Sequence, residues 1–189
     1  ITMRILSWIL LLAGCTACST PTPKPRGVLR IDLPQAKYTL FTAGELAYAF
    51  RVSQLVTIEM PPADVTEDWL NVTYPSLNVK MYCSYRSITP ETLLRCEAEC
   101  RELVARSARD AQAITEQDYE APERRVYGTL FRIDGDSPSP VQFMLTDSVS
   151  HFFRGAIYYQ HRVDADSVAP VTEYLHHDVM ELIQSFDWK

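Results

Sequence analysis

Glycine is scarce, with six in 189 residues, and none sits in a run that could cradle a phosphate. The chain has no Gly-x-x-x-x-Gly-Lys loop, no Rossmann glycine series, no Gly-x-Ser-x-Gly elbow and no His-Glu-x-x-His pair. Those absences remove the sequence signatures of nucleotide-binding folds, α/β-hydrolases and zincin-type enzymes. A basic surplus is missing too. The net charge of -6 argues against a nucleic-acid partner, which needs a basic face. It also argues against adsorption to anionic lipid. No stretch reaches the roughly 18 consecutive apolar residues of a spanning helix. Four histidines and five cysteines supply no ligand set at zinc spacing, so neither a metal nor a cofactor is expected.

What is present starts at the N-terminus. Arg4 precedes a short apolar run, Ile5 to Leu12, which ends in Leu12-Ala13-Gly14-Cys15. A positive flank, a short apolar core and small residues before a cysteine make a secretory signal rather than a membrane span. The tetrapeptide resembles a bacterial lipobox, so residues 1–14 are predicted to be the signal and Cys15 the lipidated residue. Each buried methylene of such a lipid adds about 0.8 kcal/mol of membrane binding. Residues 15–27 carry that cysteine and a Pro/Thr-rich tether, "TACSTPTPKPRG", whose prolines make it semi-extended. Residues 28–189 are predicted to form a single globular domain, long enough to bury a core without staples.

Within the domain, "VLRIDLP", "YTLF", "AYAFRV", "LVTIEMPP" and "WLNVTYP" read as short strands. "LNVKMYCSY" alternates cleanly, with Leu77, Val79, Met81, Cys83 and Tyr85 on one face. "SITPETLLRCEAECRELVARSARDA" reads as a helix with Thr89 as cap and Pro90 at its first position. Its apolar stripe is Leu93, Cys96, Cys100, Leu103 and Val104. Strands at "RRVYGTLFRI", "PVQFMLT" and "HFFRGAIYYQHRV" follow, separated by turns at "DGDSPS" and "DSVS". "DSVAPVTEYLHHDVMELIQSF" reads as a C-terminal helix capped by Asp166 or Ser167. The fold class is α+β: a mostly antiparallel sheet packed with two main helices, an α/β/α sandwich.

Several residues are chemical candidates. Asp147, Ser148 and His151 lie within one turn and offer, as an alternative function, a small extracytoplasmic hydrolase. But triad members must meet around a single atom, and a polar turn explains them better. Arg154 shares a strand face with Phe152, Ala156 and Tyr158. It reads as a structural ion pair with a carboxylate, or as the anchor for a bound anion. His177 and Glu181 stand one helical turn apart beside His176, and two ligands on an exposed helix do not make a site. In an oxidising compartment Cys83 could bridge to Cys96 or Cys100 if the helix packs on the Cys83 face. The alternative is three buried thiols. Tyr158 and Tyr159 could serve as contacts or as core.

The lipobox, "KPRGVLRIDLP", "SPVQFMLTDS", "HFFRGAIYY" and "DSVAPVTEYLHHDVMELIQSFDWK" together resemble the gliding-motility lipoprotein GldD family. The resemblance runs through nearly all the domain and is strongest from Val126 to the C-terminus. It implies a Bacteroidota cell envelope, a role beside gliding-motility and type IX secretion proteins, and no enzyme. The three domain cysteines are not part of it. No acidic residue follows Cys15 in "CTACSTPTPK", which for this group implies a domain facing the periplasm and favours the outer membrane over the inner. The phylum further implies O-glycan acceptors at Ser148 and Ser167, each within an Asp-Ser-Val triplet. The element order is similar to the Mog1/PsbP type of sandwich.

Overall fold

The computed structural model describes residues 33–44, 46–62 and 69–189. The lipobox, Cys15, the tether and most of the strand expected at "VLRIDLP" lie outside them. In chain order the elements are β1 (Tyr38–Phe41), β2 (Tyr48–Ser53), β3 (Thr57–Glu59), β4 (Trp69–Tyr74) and β5 (Val79–Ser87). Helix α1 (Pro90–Ser107) follows, then β6 (Asp110–Ala121), β7 (Val126–Asp136), β8 (Val141–Thr146) and β9 (His151–Tyr159). Helix α2 (Ala165–Gln184) and β10 (Asp187–Trp188) close the chain. Seven strands make one sheet in the order β3-β4-β5-β9-β8-β7-β6, and β1-β2-β10 make a second, small one. All the pairings are antiparallel.

Alternation along the central strands decides the layering, because successive side chains leave a strand on opposite faces. Val79, Met81 and Cys83 of β5, Phe143 and Leu145 of β8, and Phe153 and Ile157 of β9 join one core. Val171, Leu175, Val179, Leu182 and Ile183 of α2 and Tyr48 and Phe50 of β2 complete it. Met144, Phe152, Phe131 and Ile133 point the other way and meet Cys96, Cys100 and Val104 of α1. The large sheet therefore lies between α1 on one side and α2 with the small sheet on the other, the expected α/β/α sandwich.

Both helices start where backbone donors find side-chain acceptors or helix-ready residues. In α1 the Thr92 hydroxyl accepts from the Thr89 N–H at 2.8 Å, and Pro90 opens the first turn. The cap of α2 is Asp164, whose carboxylate accepts from the Ser167 N–H at 3.0 Å. The helix thus begins earlier than the Asp166 or Ser167 cap would place it. Its C-terminal end is held by Arg124, whose Nη1 donates to the Gln184 and Phe186 carbonyls at 2.7 and 2.8 Å. Arg124 sits in a proline-opened turn between β6 and β7, closed by Arg125 at φ 54°. The β4–β5 connection repeats the device, with Pro75 opening it and Asn78 closing it at φ 52°.

Cys83 cannot meet Cys96 or Cys100, because α1 packs on the opposite face from Cys83. All three thiols are free and buried. Burial pushes the Cys83 thiol well above its ordinary value. It raises Cys100 as well, against the opposing charge of Arg154. Poorly ionised thiols are poor nucleophiles.

The α2-side core is aromatic at its centre. Phe153 lies 4.7 Å from Tyr48 and 5.2 Å from Phe186, ring centre to ring centre. Phe143 reaches this cluster across Gly155, where any Cβ would overlap the Phe143 ring. Gly155→Ala is expected to lower stability by about 1–3 kcal/mol. Gly44→Ala, where a Cβ meets nothing within 4 Å, should leave it nearly unchanged. Denaturant midpoints of the two variants check this.

Candidate functional site

The turn between β8 and β9 gathers the polar residues singled out in the sequence. Ser148 takes a left-handed conformation, φ 66°, which tightens the turn. Asp147 is buried, and its Oδ1 accepts the backbone N–H groups of Val149, Ser150 and His151 at 2.9, 2.8 and 2.8 Å. Its Oδ2 accepts the Ser150 hydroxyl at 2.9 Å, with Arg125 at 3.6 Å. Burial works against this charge. The N–H groups of Ser150, Val149 and His151 outweigh it and hold the carboxyl at about 2.

His151 points away from that carboxylate. Its Nδ1 is 2.7 Å from the Tyr85 hydroxyl, and its ring stacks on Trp188 at 5.1 Å. Ser148 is exposed at the tip. The three residues are neighbours in sequence but do not form a relay, which needs the base oriented by the acid and touching the nucleophile. Asp147 organises the loop, and His151 seats the C-terminal strand.

Arg154 lies on the α1 side of β9. Its Nη2 donates to Gln142 Oε1 at 2.8 Å, where the sequence predicts a carboxylate partner. The Cys100 thiol is its neighbour on α1. Arg154 Nε and Gln142 Nε2 are buried without hydrogen-bond partners. Two such donors are costly unless an acceptor reaches them. Neither residue lines any of the four clefts described for the domain.

Beyond the end of α1's cover, Tyr158 meets Tyr82 edge-on at 5.6 Å, and Lys80 lies over the Tyr82 ring at 5.4 Å. Tyr159 turns inward and shares a 2.7 Å hydrogen bond with Thr172 of α2. On α2, His177 is 3.4 Å from Glu173, and Glu181 pairs with Arg51 at 3.3 Å. The two take separate partners, and no metal-holding cluster occurs among the described residues.

One buried group falls outside the sequence expectations. Asp178 sits on the apolar stripe of α2, three residues after Leu175, and accepts the Tyr38 hydroxyl at 2.7 Å. Burial raises its carboxyl above the usual value, with Tyr38 and Tyr74 opposing the shift. A lone Asp in register with apolar residues was the available signal, and the spacing alone did not name its partners.

The described residues define an antiparallel α/β/α sandwich whose catalytic-type side chains are bound into its own turns and layers. The chain belongs to the gliding motility lipoprotein GldD family, whose model matches residues 18–188. No curated protein sequence matches it. Among solved structures, cyanobacterial PsbP from Synechocystis sp. PCC 6803 is similar at 11% sequence identity. That match covers 85% of this chain and 97% of the other, with a TM-score of 0.49. The fold described above stands on its own strand order and packing.

Asp147 gives a pH-dependent prediction. Its carboxyl falls from an ordinary 3.8 to about 2 on folding. The stabilisation is therefore complete above the unfolded value and lost as pH falls through about 2. Asp147→Asn should cost about 1–2 kcal/mol at neutral pH. The gap from the parent should close as the pH drops from about 4 towards 2, read by urea unfolding across that range.

Proposed function

We propose that this protein is a lipid-anchored accessory of the Bacteroidota gliding-motility and type IX secretion machinery, working by protein contact. The family match over residues 18–188 carries the reading, together with the Leu12-Ala13-Gly14-Cys15 lipobox just before it. In this reading the acyl chains on Cys15 hold the protein to the outer membrane. The tether of residues 16–27 sets the domain in the periplasm. Anchoring two components to one surface raises their effective concentration for each other, so modest contacts suffice.

The geometry supports a surface role. Asp147 serves its loop, His151 serves Tyr85 and Trp188, and the buried Cys83 and Cys100 thiols are poorly ionised. An anion held by Arg154 is the second reading. It draws on the unpartnered Nε of Arg154 and Nε2 of Gln142. Ser148 and Ser167 are both exposed. Ser148, at a turn tip, is the better placed O-glycan acceptor, since the Ser167 hydroxyl donates to Asp164 at 2.8 Å.

The test is deletion of the gene, complemented with the parent and with Cys15→Ala. Colony spreading and secreted type IX cargo are read together. Loss of both on deletion, restored by the parent and not by Cys15→Ala, is expected. Normal spreading and secretion in the deletion strain would remove the machine-accessory reading and leave the anion-binding one.

A further inference from the structure

Strand β6 is the last strand of the large sheet. It pairs with β7 from Asp110↔Asp136 to Ala121↔Val126. No strand among the described residues pairs with its outer edge. At 12 residues it is far longer than β3, the 3-residue strand at the opposite edge. Long open edges recruit other strands, and proteins usually blunt them with lysine, proline or a bulge. β6 has neither lysine nor proline. Its one irregularity falls near the start, between Ala111 and Ala113.

Charge says what can lie there. β6 holds Asp110, Glu116, Asp118 and Glu120 and no basic residue. The last three stand opposite Phe131, Thr129 and Tyr127, which places them all on the α1 side of the sheet. Arg101 of α1 pairs with Glu116 at 2.6 Å. Asp118 and Glu120 instead edge a cleft of about 210 Å³ that Glu97 of α1 also lines, together with Met144 and Phe152. Three carboxylates beside an apolar side-chain pair suit a lysine or arginine, whose methylene stem covers carbon while its head stays polar. Ile114, partly exposed on the same face, adds an apolar contact.

A second copy fits poorly. Antiparallel pairing of two β6 edges centred on Gln117 would set Glu116 against Asp118 twice, and like charges directly opposite are destabilising. We propose that the outer edge of β6 takes an extended segment of another protein as an eighth strand, one with Lys or Arg at alternate positions facing the α1–β6 cleft. Main-chain hydrogen bonds would supply affinity, and the acidic row would set register and sign. This deepens the protein-contact reading above by naming the surface and the chemistry of its partner.

The test uses the full-length lipidated protein in detergent micelles. The probe is a synthetic peptide of about ten residues alternating lysine and valine, with a glutamate–valine peptide as control. Amide hydrogen exchange reads the site. The lysine peptide is expected to slow exchange across residues 113–120. Its affinity should fall about tenfold or more in an Asp118→Lys, Glu120→Lys double variant, and again as salt is raised. Protection elsewhere, or equal binding of the glutamate peptide, overturns the proposal. Outer-edge amides already protected without peptide also overturn it, since the chain's own residues 1–32 or a second copy would then hold the edge. The same double variant is placed in the deletion strain and should accumulate normally yet fail to restore spreading. Full restoration there overturns the edge proposal and leaves the accessory reading standing. A silent deletion with intact peptide binding does the reverse.

Discussion

The close approach of Phe143 to the bare backbone of Gly155 is the contact on which the rest of the domain is registered. Gly155 pairs with Cys83 on one side and Phe143 on the other, at the middle of the sheet. With no Cβ there, the Phe143 ring settles over β9 and reaches Phe153 at 6.1 Å. Phe153 in turn meets Tyr48 and Phe186, so β2 and the end of α2 are drawn onto one aromatic cluster. Apolar area removed from water supplies the main driving force, and aromatic rings supply it in large units. Because neighbours on a strand point opposite ways, fixing Gly155 towards α2 also fixes Arg154 and Ala156 towards α1. The second core and the Arg154–Gln142 contact follow from that parity.

Elements with strong periodicity were legible in the sequence. The β5 alternation, both helices and the meander of β7, β8 and β9 all appear, because each buries one regular face, although α1 stops at Ser107, short of Ala111, and Leu103 of its expected stripe is exposed. β6 and β10 were not. β6 faces water along most of its length, so its side chains carry no apolar alternation, and only its pairing with β7 makes it a strand. β10 is two residues that exist through pairing with β2. Misplacing the α2 cap has a similar origin, since Asp164, Asp166 and Ser167 are equally good cap types. Backbone geometry chose among them.

Expectations for the candidate residues divided along the same line. Cys83, Cys96 and Cys100 are close in sequence, and nothing in their spacing says which face of β5 the helix will cover. The polar turn at Asp147 is legible from local chemistry alone, because an Asp two to four residues before free N–H groups can satisfy them without help from the fold. Arg154 lay between these cases. Its position on a strand face was visible, but its partner is an amide contributed by β8. Long-range polar partners such as Gln142 for Arg154, or Tyr38 for Asp178, are set by strand order, which no local pattern encodes.

Asp178 also bears on how the domain would withstand the tether proposed above. The described chain reaches β1 from Leu33, and Tyr38 at the start of β1 is tied to Asp178 in the middle of α2. The Tyr74 hydroxyl, at the end of β4, also favours the charged form of that carboxylate. A buried carboxyl is costly when its partners leave. Peeling β1 away would strip the Tyr38 hydroxyl from it and break the four register pairs with β2 together. The N-terminal approach to the domain is thus closed by a polar clamp inside the α2 layer, while the sheet's open edge lies at β6. In the proposed reading, anchoring falls to the β1 end and recognition to β6, so a load on one end need not disturb the surface offered at the other.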